Sequence, residues 1–203
     1  MVTEVRGRFI RHRAGLRRIL ANYIGLDPHH VELGSGRWGK PSLNGAQARA
    51  LKFNLSHTGD LAVLAICRGW DVGIDIEDAA AGLRHERLAS RVLSPDERLQ
   101  FGCVAEDARA SAFLRNWTCK EAYLKATGQG LSVPLKEISV GFGQPGLLAR
   151  ERPASEDDYL QSWHFHELAP WPGIIGTLAI NVPDADLRWF DLLEDLPAIE
   201  ATQ

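Results

Sequence analysis

The sequence predicts an α+β fold of two pseudo-repeated halves, each a small, mainly antiparallel sheet with a long helix. Two observations carry this prediction. The hydrophobic period changes along the 203 residues from helix to strands, then to helices and back to strands. In addition, the strand-like run Ala62–Ile66 has an echo in Gly176–Ile180, as expected when two related units pack together. We assign the halves to residues 1–95 and 96–203 and expect one compact unit.

The N-terminal half begins with a helix and continues as strands. Apolar residues recur at helical spacing in Arg13–Ile24, and Gly25 ends this pattern. Residues 31–45 are rich in Gly, Pro, Ser and Asn, which predicts an ordered loop around Trp38. Three strand-like runs with short turns between them then predict an antiparallel meander: Lys52–His57, Leu61–Cys67 and Trp70–Glu77.

The C-terminal half is predicted to be helical first and stranded afterwards. Ser94 has the features of an N-cap, with Pro95 at the first helical position and Glu97 as the capping-box partner. A second long helix runs through Trp117 and ends near Gly128. The strands predicted after it are Ile138–Phe142, Ser162–Leu168, Ile174–Ile180 and Leu187–Leu192.

Composition excludes several classes of function. The net charge of -3 and the pI near 6.2 argue against nucleic acid as a partner. The basic stretch Arg6–Arg18 faces either an anionic ligand, an acidic partner or solvent. Three cysteines without metal-ligand spacing predict neither a zinc site nor a disulfide framework. No signal peptide or membrane span is evident, so we expect no membrane partner and a cytoplasmic protein.

Two carboxylates stand two positions apart in the apolar strand Gly73–Glu77. Because side chains alternate along a strand, Asp75 and Glu77 point to the same face. Oxygen donors at that spacing suit a shared hard cation, which also relieves their mutual repulsion. The alternative is an ordinary strand with a solvated polar face.

Glu121 and Lys125 are four residues apart on a predicted helix and therefore share a face. Alone, such a pair is usually a surface ion pair. Combined with Asp75 and Glu77, however, Glu121 completes a predicted magnesium site, while Lys125 reaches substrate phosphate.

Other sequence features argue against common enzyme classes. Ser56, His57 and Asp60 lack a G-x-S-x-G elbow, and neighbours on a strand point to opposite faces, so we discount a serine hydrolase. No P-loop is present, and the glycine-rich run Gly34–Gly39 lacks the context of a dinucleotide fingerprint. Lys40, just after this run, is either a candidate anion contact or a plain surface lysine.

Four motifs in this order and spacing resemble the Sfp-type 4'-phosphopantetheinyl transferases of the W-x-x-K-E-A subtype: Gly39–Pro41, Phe53–His57, Val72–Glu77 and Trp117–Ala122. The similarity runs from about Arg11 to Val140, and Ser94–Glu97 and Gly130–Leu135 also match. The resemblance implies a pseudo-twofold α+β fold and coenzyme A bound between its halves.

The resemblance also implies roles for individual residues. Mg²⁺ would be held by Asp75, Glu77 and Glu121, with Lys125 at the pyrophosphate of coenzyme A. The phosphates would be contacted by Lys40, Ser56 and His57, and the adenosine 3'-phosphate by Arg13. A carrier-protein serine would attack the β-phosphate and release 3',5'-adenosine bisphosphate. Catalysis would rest on Asp75, Glu121 and Lys125, with Glu121 as base directly or through a water.

Two alternatives stay open at this point. One is a binding module of the same fold that docks coenzyme A or carrier proteins without turnover, since relatives usually carry a further N-terminal strand with basic residues. Either Arg6, Arg8 and Arg11 substitute for those contacts, or the start is truncated and the activity is reduced; Ala14 stands where relatives place a small hydroxyl residue. The other is a metal-dependent phosphohydrolase, which would act without a carrier protein. We expect a monomer, because the halves bury each other's apolar faces.

Overall fold

The computed structural model describes residues 2–36, 38–45, 50–80, 85–140, 142, 148–150, 163–182 and 184–191. Four α-helices lie in these ranges: α1 (Val2–Ile24), α2 (His85–Val92), α3 (Pro95–Gly102) and α4 (Glu106–Thr127). The strands are β1 (Leu33–Ser35), β2 (Pro41–Leu43), β3 (Leu51–Thr58), β4 (Leu61–Arg68), β5 (Val72–Asp78), β6 (Ile138–Val140), β7 (Leu148–Arg150), β8 (His164–Leu168) and β9 (Ile174–Ile180). Short 3-10 helices span Pro28–His30, Gly130–Ser132 and Leu135–Glu137.

The strands form small antiparallel sheets, which confirms the predicted α+β class. The described residues give three two-stranded sheets, β1–β2, β3–β4 and β6–β7, and one three-stranded sheet in the order β5–β9–β8. In the larger sheet Ile74 of β5 lies opposite Leu178 of β9, and His166 of β8 lies on the other side of Leu178. β5 therefore pairs with a strand about 100 residues further along the chain.

The predicted meander is wrong for its third strand. β3 and β4 pair as expected, but β5 meets β3 through side chains instead of extending the hairpin. The amide N–H of Ile74 donates to Asn54 Oδ1 at 2.8 Å, and the amide N–H of Ile76 donates to Ser56 Oγ at 3.3 Å. Both side chains are buried, so they satisfy backbone groups of β5 that would otherwise lack partners.

Other sequence predictions have mixed outcomes. The first helix is confirmed and already begins at Val2, although the side chains of residues 2–12, including Arg6, Arg8 and Arg11, lie outside the described residues. The loop predicted at 31–45 contains the β1–β2 hairpin. The capping box of α3 is confirmed, as is the end of α4 at Gly128, a left-handed residue with φ of 69°. The last predicted strand, Leu187–Leu192, is wrong, because residues 187–191 form no strand; Leu192 lies outside the described residues.

Helix α4 packs directly on β5 because the strand carries a glycine there. A Cβ atom on Gly73 would lie 2.0 Å from the carbonyl oxygen of Ala122 and 2.4 Å from the amide nitrogen of Ala126. Both contacts are with helix backbone, so no side-chain rotation relieves them. Gly73 therefore lets the helix approach the strand closely along the turns that carry residues 121–126.

Apolar clusters hold the sheets in place, and one of them packs Ala65 of β4 against Ile74 of β5 and Leu178 of β9. Leu16 and Leu20 of α1 pack with Leu51 and Phe53 of β3. In another cluster, α4 packs on β9 and β6 through residues that include Tyr123 and Leu124. None of the helices in the described part of the chain combines the length and the apolar character needed to cross a bilayer.

A buried ion pair joins the helices to one another. Lys120 Nζ lies 2.5 Å from Glu97 Oε2 and donates to the carbonyl oxygens of Val92 at 2.6 Å and Leu135 at 3.1 Å. Glu97 Oε1 accepts from the amide N–H of Val140 at 2.6 Å and from Asn116 Nδ2 at 3.0 Å. Lys120 and Glu97 are 0% and 1% exposed, so these bonds form away from water. The pair ties α2, α3, α4, the 3-10 helix Leu135–Glu137 and β6 together.

We expect Lys120→Met to lower the free energy of unfolding by about 3–5 kcal/mol, because it leaves the Glu97 carboxylate buried without its cation. Urea unfolding at neutral pH measures this loss. Adding Glu97→Gln to Lys120→Met should restore part of it, since the orphaned charge is then removed.

Lys52→Met is the matched control. Its ammonium lies 3.8 Å from Asp71 Oδ1 in a pair whose side chains are 37% and 48% exposed. Removing that pair should cost no more than about 1 kcal/mol. An equal loss in Lys120→Met and Lys52→Met would contradict the structural role of the buried pair.

Candidate active site

Asp75 and Glu77 share one face of β5, as the strand period predicted. Asp75 is buried and lies opposite Thr177 of β9, whereas Glu77 is partly buried two residues further along. Burial raises the pKa of Asp75, although the nearby Lys125 ammonium opposes this shift. Burial also raises the pKa of Glu77, to about 6, with a further contribution from the negative charge of Asp75. Glu77 is therefore close enough to Asp75 for its charge to raise the pKa of Glu77 at a partly buried position.

Helix α4 brings Glu121 and Lys125 to the same place. Lys125 Nζ donates to Asp75 Oδ1 at 2.6 Å and to Ser56 Oγ at 3.0 Å. Burial and the charge of Asp75 raise the pKa of Glu121, and Lys125 opposes this shift. Glu121 also raises the pKa of Glu77. Three carboxylates and one ammonium group from β5 and α4 thus converge at one site.

The side chains at this site suit a hard divalent cation. Asp75 Oδ2 is buried and has no hydrogen-bond partner, so one strong acceptor is unsatisfied. Burial raises the pKa of all three carboxyl groups, and the charge of Asp75 raises those of Glu77 and Glu121 further, so a bound cation would favour their charged forms. Carboxylate oxygens are also the ligands that Mg²⁺ prefers. No group of three or more Asp, Glu, His or Cys side chains within the described ranges is drawn together tightly enough to form a finished metal cage.

Of the other predicted contact residues, Ser56 contacts the carboxylates, whereas His57, Arg13 and Lys40 have other surroundings. Ser56 belongs to the site, because its hydroxyl donates to Asp75 Oδ1 at 3.1 Å. Its neighbour His57 is exposed near the end of β3, and Arg13 is exposed on α1. Lys40 does not project freely: its Nζ donates to the carbonyl oxygens of Val72 at 3.0 Å and Ala126 at 2.8 Å.

Lys40 borders a groove between the β1–β2 hairpin, β3 and the C-terminal end of α4. The groove has a volume of about 510 Å³, and its walls include Trp38, Lys52, Phe53 and Gln129. Burial lowers the pKa of Lys40 to about 8, with Asp71 opposing the shift and Lys52 adding to it. The groove lies next to the carboxylate site, because Ala126, the residue after Lys125 on α4, lines it.

Sequence reasoning missed residues that assemble this site. Gly73 admits α4, and its position before the carboxylate motif is a signal, because a glycine inside a strand often marks close backbone approach. Trp117 forms a side-chain hydrogen bond with Glu77, in which the indole N–H donates. Lys120, although next to Glu121, points into the buried pair with Glu97. No sequence signal distinguishes that lysine from a solvated one.

Comparison with known proteins finds a matching family and several relatives. The model of the family described as the 4'-phosphopantetheinyl transferase superfamily matches residues 71–182. The 4'-phosphopantetheinyl transferase HetI of Nostoc sp. is 35% identical over 178 residues, which cover 87% of this chain and 72% of that protein.

Two relatives from Bacillus subtilis are covered less completely. A 4'-phosphopantetheinyl transferase is 33% identical over 68% of this chain and 59% of that protein. The 4'-phosphopantetheinyl transferase Sfp of strain 168 is 29% identical over 69% of this chain and 60% of that protein. Among solved structures, the holo-[acyl-carrier-protein] synthase of Thermotoga maritima aligns with a TM-score of 0.43 and 20% identity. That alignment covers 54% of this chain and 61% of the other.

We expect Glu77→Gln to raise the melting temperature at about pH 8 when divalent cations are chelated. The folded-state pKa of Glu77, about 6, lies above the ordinary value of 4.5. The group therefore stabilises the fold below pH 4.5, and this contribution is lost as the pH rises through 6. The neutral amide avoids that loss, so the difference between variant and wild type should shrink as the pH falls toward 4.5.

Thermal unfolding followed by circular dichroism at both pH values checks this expectation. The exposed Glu137, which lies in the 3-10 helix Leu135–Glu137, provides the control variant Glu137→Gln. A lower melting temperature for Glu77→Gln at both pH values would show that the carboxylates do not repel one another in the folded protein.

Proposed function

Since the chain belongs to the 4'-phosphopantetheinyl transferase superfamily, we propose that it transfers the 4'-phosphopantetheine group of coenzyme A to a serine of an apo carrier protein. The other product is 3',5'-adenosine bisphosphate. One observation supports this reading most: Asp75, Glu77 and Glu121 meet Lys125 at one place, although they come from two separate elements. Such a group of charges suits a reaction at a pyrophosphate.

The three carboxylates are proposed to hold Mg²⁺, which when bound neutralises charge on the pyrophosphate of coenzyme A. Asp75 Oδ2 supports this assignment, because it is buried without a partner. Lys125 is proposed to contact the same pyrophosphate. Its side chain is 29% exposed, so part of it remains accessible from solvent while Nζ touches Asp75.

The proposed transfer joins the serine Oγ of the carrier to the β-phosphorus of coenzyme A. The bond from that phosphorus to the bridging oxygen breaks, and the bisphosphate leaves with the electron pair. The serine proton passes to Glu121, directly or through a water. Burial raises the pKa of Glu121, which brings its basicity closer to that required at neutral pH. The remaining task of the protein is to position both substrates.

The groove beside Lys40 is proposed to receive the nucleotide end of coenzyme A. Its volume of about 510 Å³ suits a small-molecule site. Trp38, which is 52% exposed, offers an aromatic face to a base, and Lys52 offers a positive charge. Lys40 spends two of its three N–H groups on carbonyl oxygens, which leaves one for a phosphate. Arg13 and His57 are proposed to contact the phosphates as well.

We propose two halves that meet near residue 95, a monomer, and a cytoplasmic location where coenzyme A and carrier proteins are present. Ser56 supports a site shared by the two halves, because it lies on β3 and contacts both Asp75 of β5 and Lys125 of α4.

Mass spectrometry of an apo carrier protein tests the reaction. The protein is incubated with the carrier, coenzyme A and Mg²⁺, and EDTA is added to a parallel sample. We expect the carrier to gain the mass of one phosphopantetheine arm, and EDTA should abolish the gain. No gain across several carriers, with coenzyme A binding retained, would instead indicate a binding module. Release of phosphate without a carrier would indicate a phosphohydrolase.

Asp75→Ala should reduce metal-dependent transfer by about a hundredfold or more, because it removes a cation ligand at the centre of the site. Initial rates of carrier modification at saturating Mg²⁺ measure this effect, and circular dichroism verifies the fold. Asp107→Ala is the matched control, since Asp107 is also acidic but is exposed in the first turn of α4, away from the carboxylates and the groove. Full activity in Asp75→Ala would refute the proposed metal site.

A further inference from the structure

The two oxygen atoms of Asp75 have different surroundings. Oδ1 accepts two hydrogen bonds, from Lys125 Nζ at 2.6 Å and from Ser56 Oγ at 3.1 Å. Oδ2 is buried and accepts none. The carboxylate is 7% exposed, so solvent does not even out this difference. Asp75 therefore offers one satisfied oxygen and one unsatisfied oxygen.

Hydrogen bonds to Ser56 fix which oxygen is satisfied. Lys125 Nζ donates to Ser56 Oγ at 3.0 Å, and the amide N–H of Ile76 donates to the same atom at 3.3 Å. With two donors pointing at its oxygen, the hydroxyl hydrogen is directed to Asp75 Oδ1. Ser56 is held by β3 and Ile76 by β5, so this arrangement is part of the seam between the two strands. The carboxylate is thus held in one orientation by groups on three elements.

A carboxylate with one oxygen already engaged can give a cation only the other. Mg²⁺ is small, requires nearly octahedral coordination and keeps several waters, so one oxygen from each carboxylate is sufficient. Ca²⁺ takes six to eight oxygens in flexible geometry and often uses both oxygens of a carboxylate. Because Lys125 and Ser56 occupy one oxygen of Asp75, this carboxylate suits Mg²⁺ better than Ca²⁺.

We propose that Lys125 is a specificity-determining residue of the metal site: with Ser56 it reserves one oxygen of Asp75 and thereby favours Mg²⁺ over Ca²⁺. This inference rests on the proposed function, because it takes Asp75, Glu77 and Glu121 as the metal ligands. The positive charge of Lys125 also lowers the net negative charge of the site. A lower negative charge weakens the binding of both ions, but the loss of one Asp75 oxygen to Lys125 and Ser56 weakens the binding of Ca²⁺ more.

Direct metal binding tests the proposal without turnover. Mn²⁺ bound to the protein is observed by electron paramagnetic resonance at about pH 8, above the raised pKa of Glu77, and is displaced by Mg²⁺ or by Ca²⁺. The measured quantity is the ratio of the Ca²⁺ to the Mg²⁺ dissociation constant. The proteins compared are the wild type, Lys125→Met, Ser56→Ala and the control Lys136→Met, whose lysine is exposed in the 3-10 helix Leu135–Glu137.

We expect Lys125→Met to lower this ratio by about fivefold or more, because Ca²⁺ then gains the second oxygen of Asp75. Ser56→Ala should shift the ratio in the same direction by a smaller factor, since one of two donors is lost. Lys136→Met should leave the ratio unchanged.

Other outcomes separate this inference from the proposed function. If Lys125→Met changes the dissociation constants of Mg²⁺ and Ca²⁺ by the same factor, the specificity role is wrong and the metal site stands. If the wild type binds no Mn²⁺ at all, the proposed metal site is wrong and the inference fails with it. Should Lys125→Met not fold, an unchanged ratio in Ser56→Ala overturns the specificity role.

Discussion

The buried ion pair between Lys120 and Glu97 is the constraint on which the rest of the structure depends. Each charge is costly to bury, and each is compensated by additional hydrogen bonds, so the pair is stable only when five elements meet around it. A helix held in this way on one side cannot rotate about its axis. Its opposite side, at Ala122 and Ala126, then meets β5 at Gly73. The pair and the glycine together determine where Glu121 and Lys125 project.

The seam between β3 and β5 has two functions. Asn54 and Ser56 accept hydrogen bonds from the backbone of β5, and they thereby connect a hairpin to a sheet with which it shares no strand pairing. Ser56 in addition touches Asp75 and Lys125. A side chain that satisfies buried backbone has little freedom to move. The geometry around Asp75 is therefore as rigid as the connection between the two sheets.

Sequence patterns that act over a few residues predict this protein well, and contacts over long separations explain the rest. The period of two placed Asp75 and Glu77 on one face, and the capping signal at Ser94 located α3. The pairing of β5 with β9 was not predictable in the same way, because it joins residues about 100 positions apart and the turn before β5 favours a local hairpin. Likewise, nothing local indicates that Lys125 contacts Asp75 or that Lys120 is buried. Those contacts follow from how α4 packs.

The site is held in an unfavourable electrostatic state by its surroundings. Burial raises the pKa of Asp75, Glu77 and Glu121, and the charge of Asp75 adds to the shifts of the two glutamates, so charging these groups opposes folding. Lys125 offsets the charge of Asp75, and Glu77 and Glu121 lie beside it on partly buried positions. A surface site would relax by spreading its side chains into solvent. Here the buried pair of Lys120 and Glu97 and the close packing at Gly73 fix the backbone that carries the carboxylates, so in the proposed function a bound cation would relieve the remaining charge.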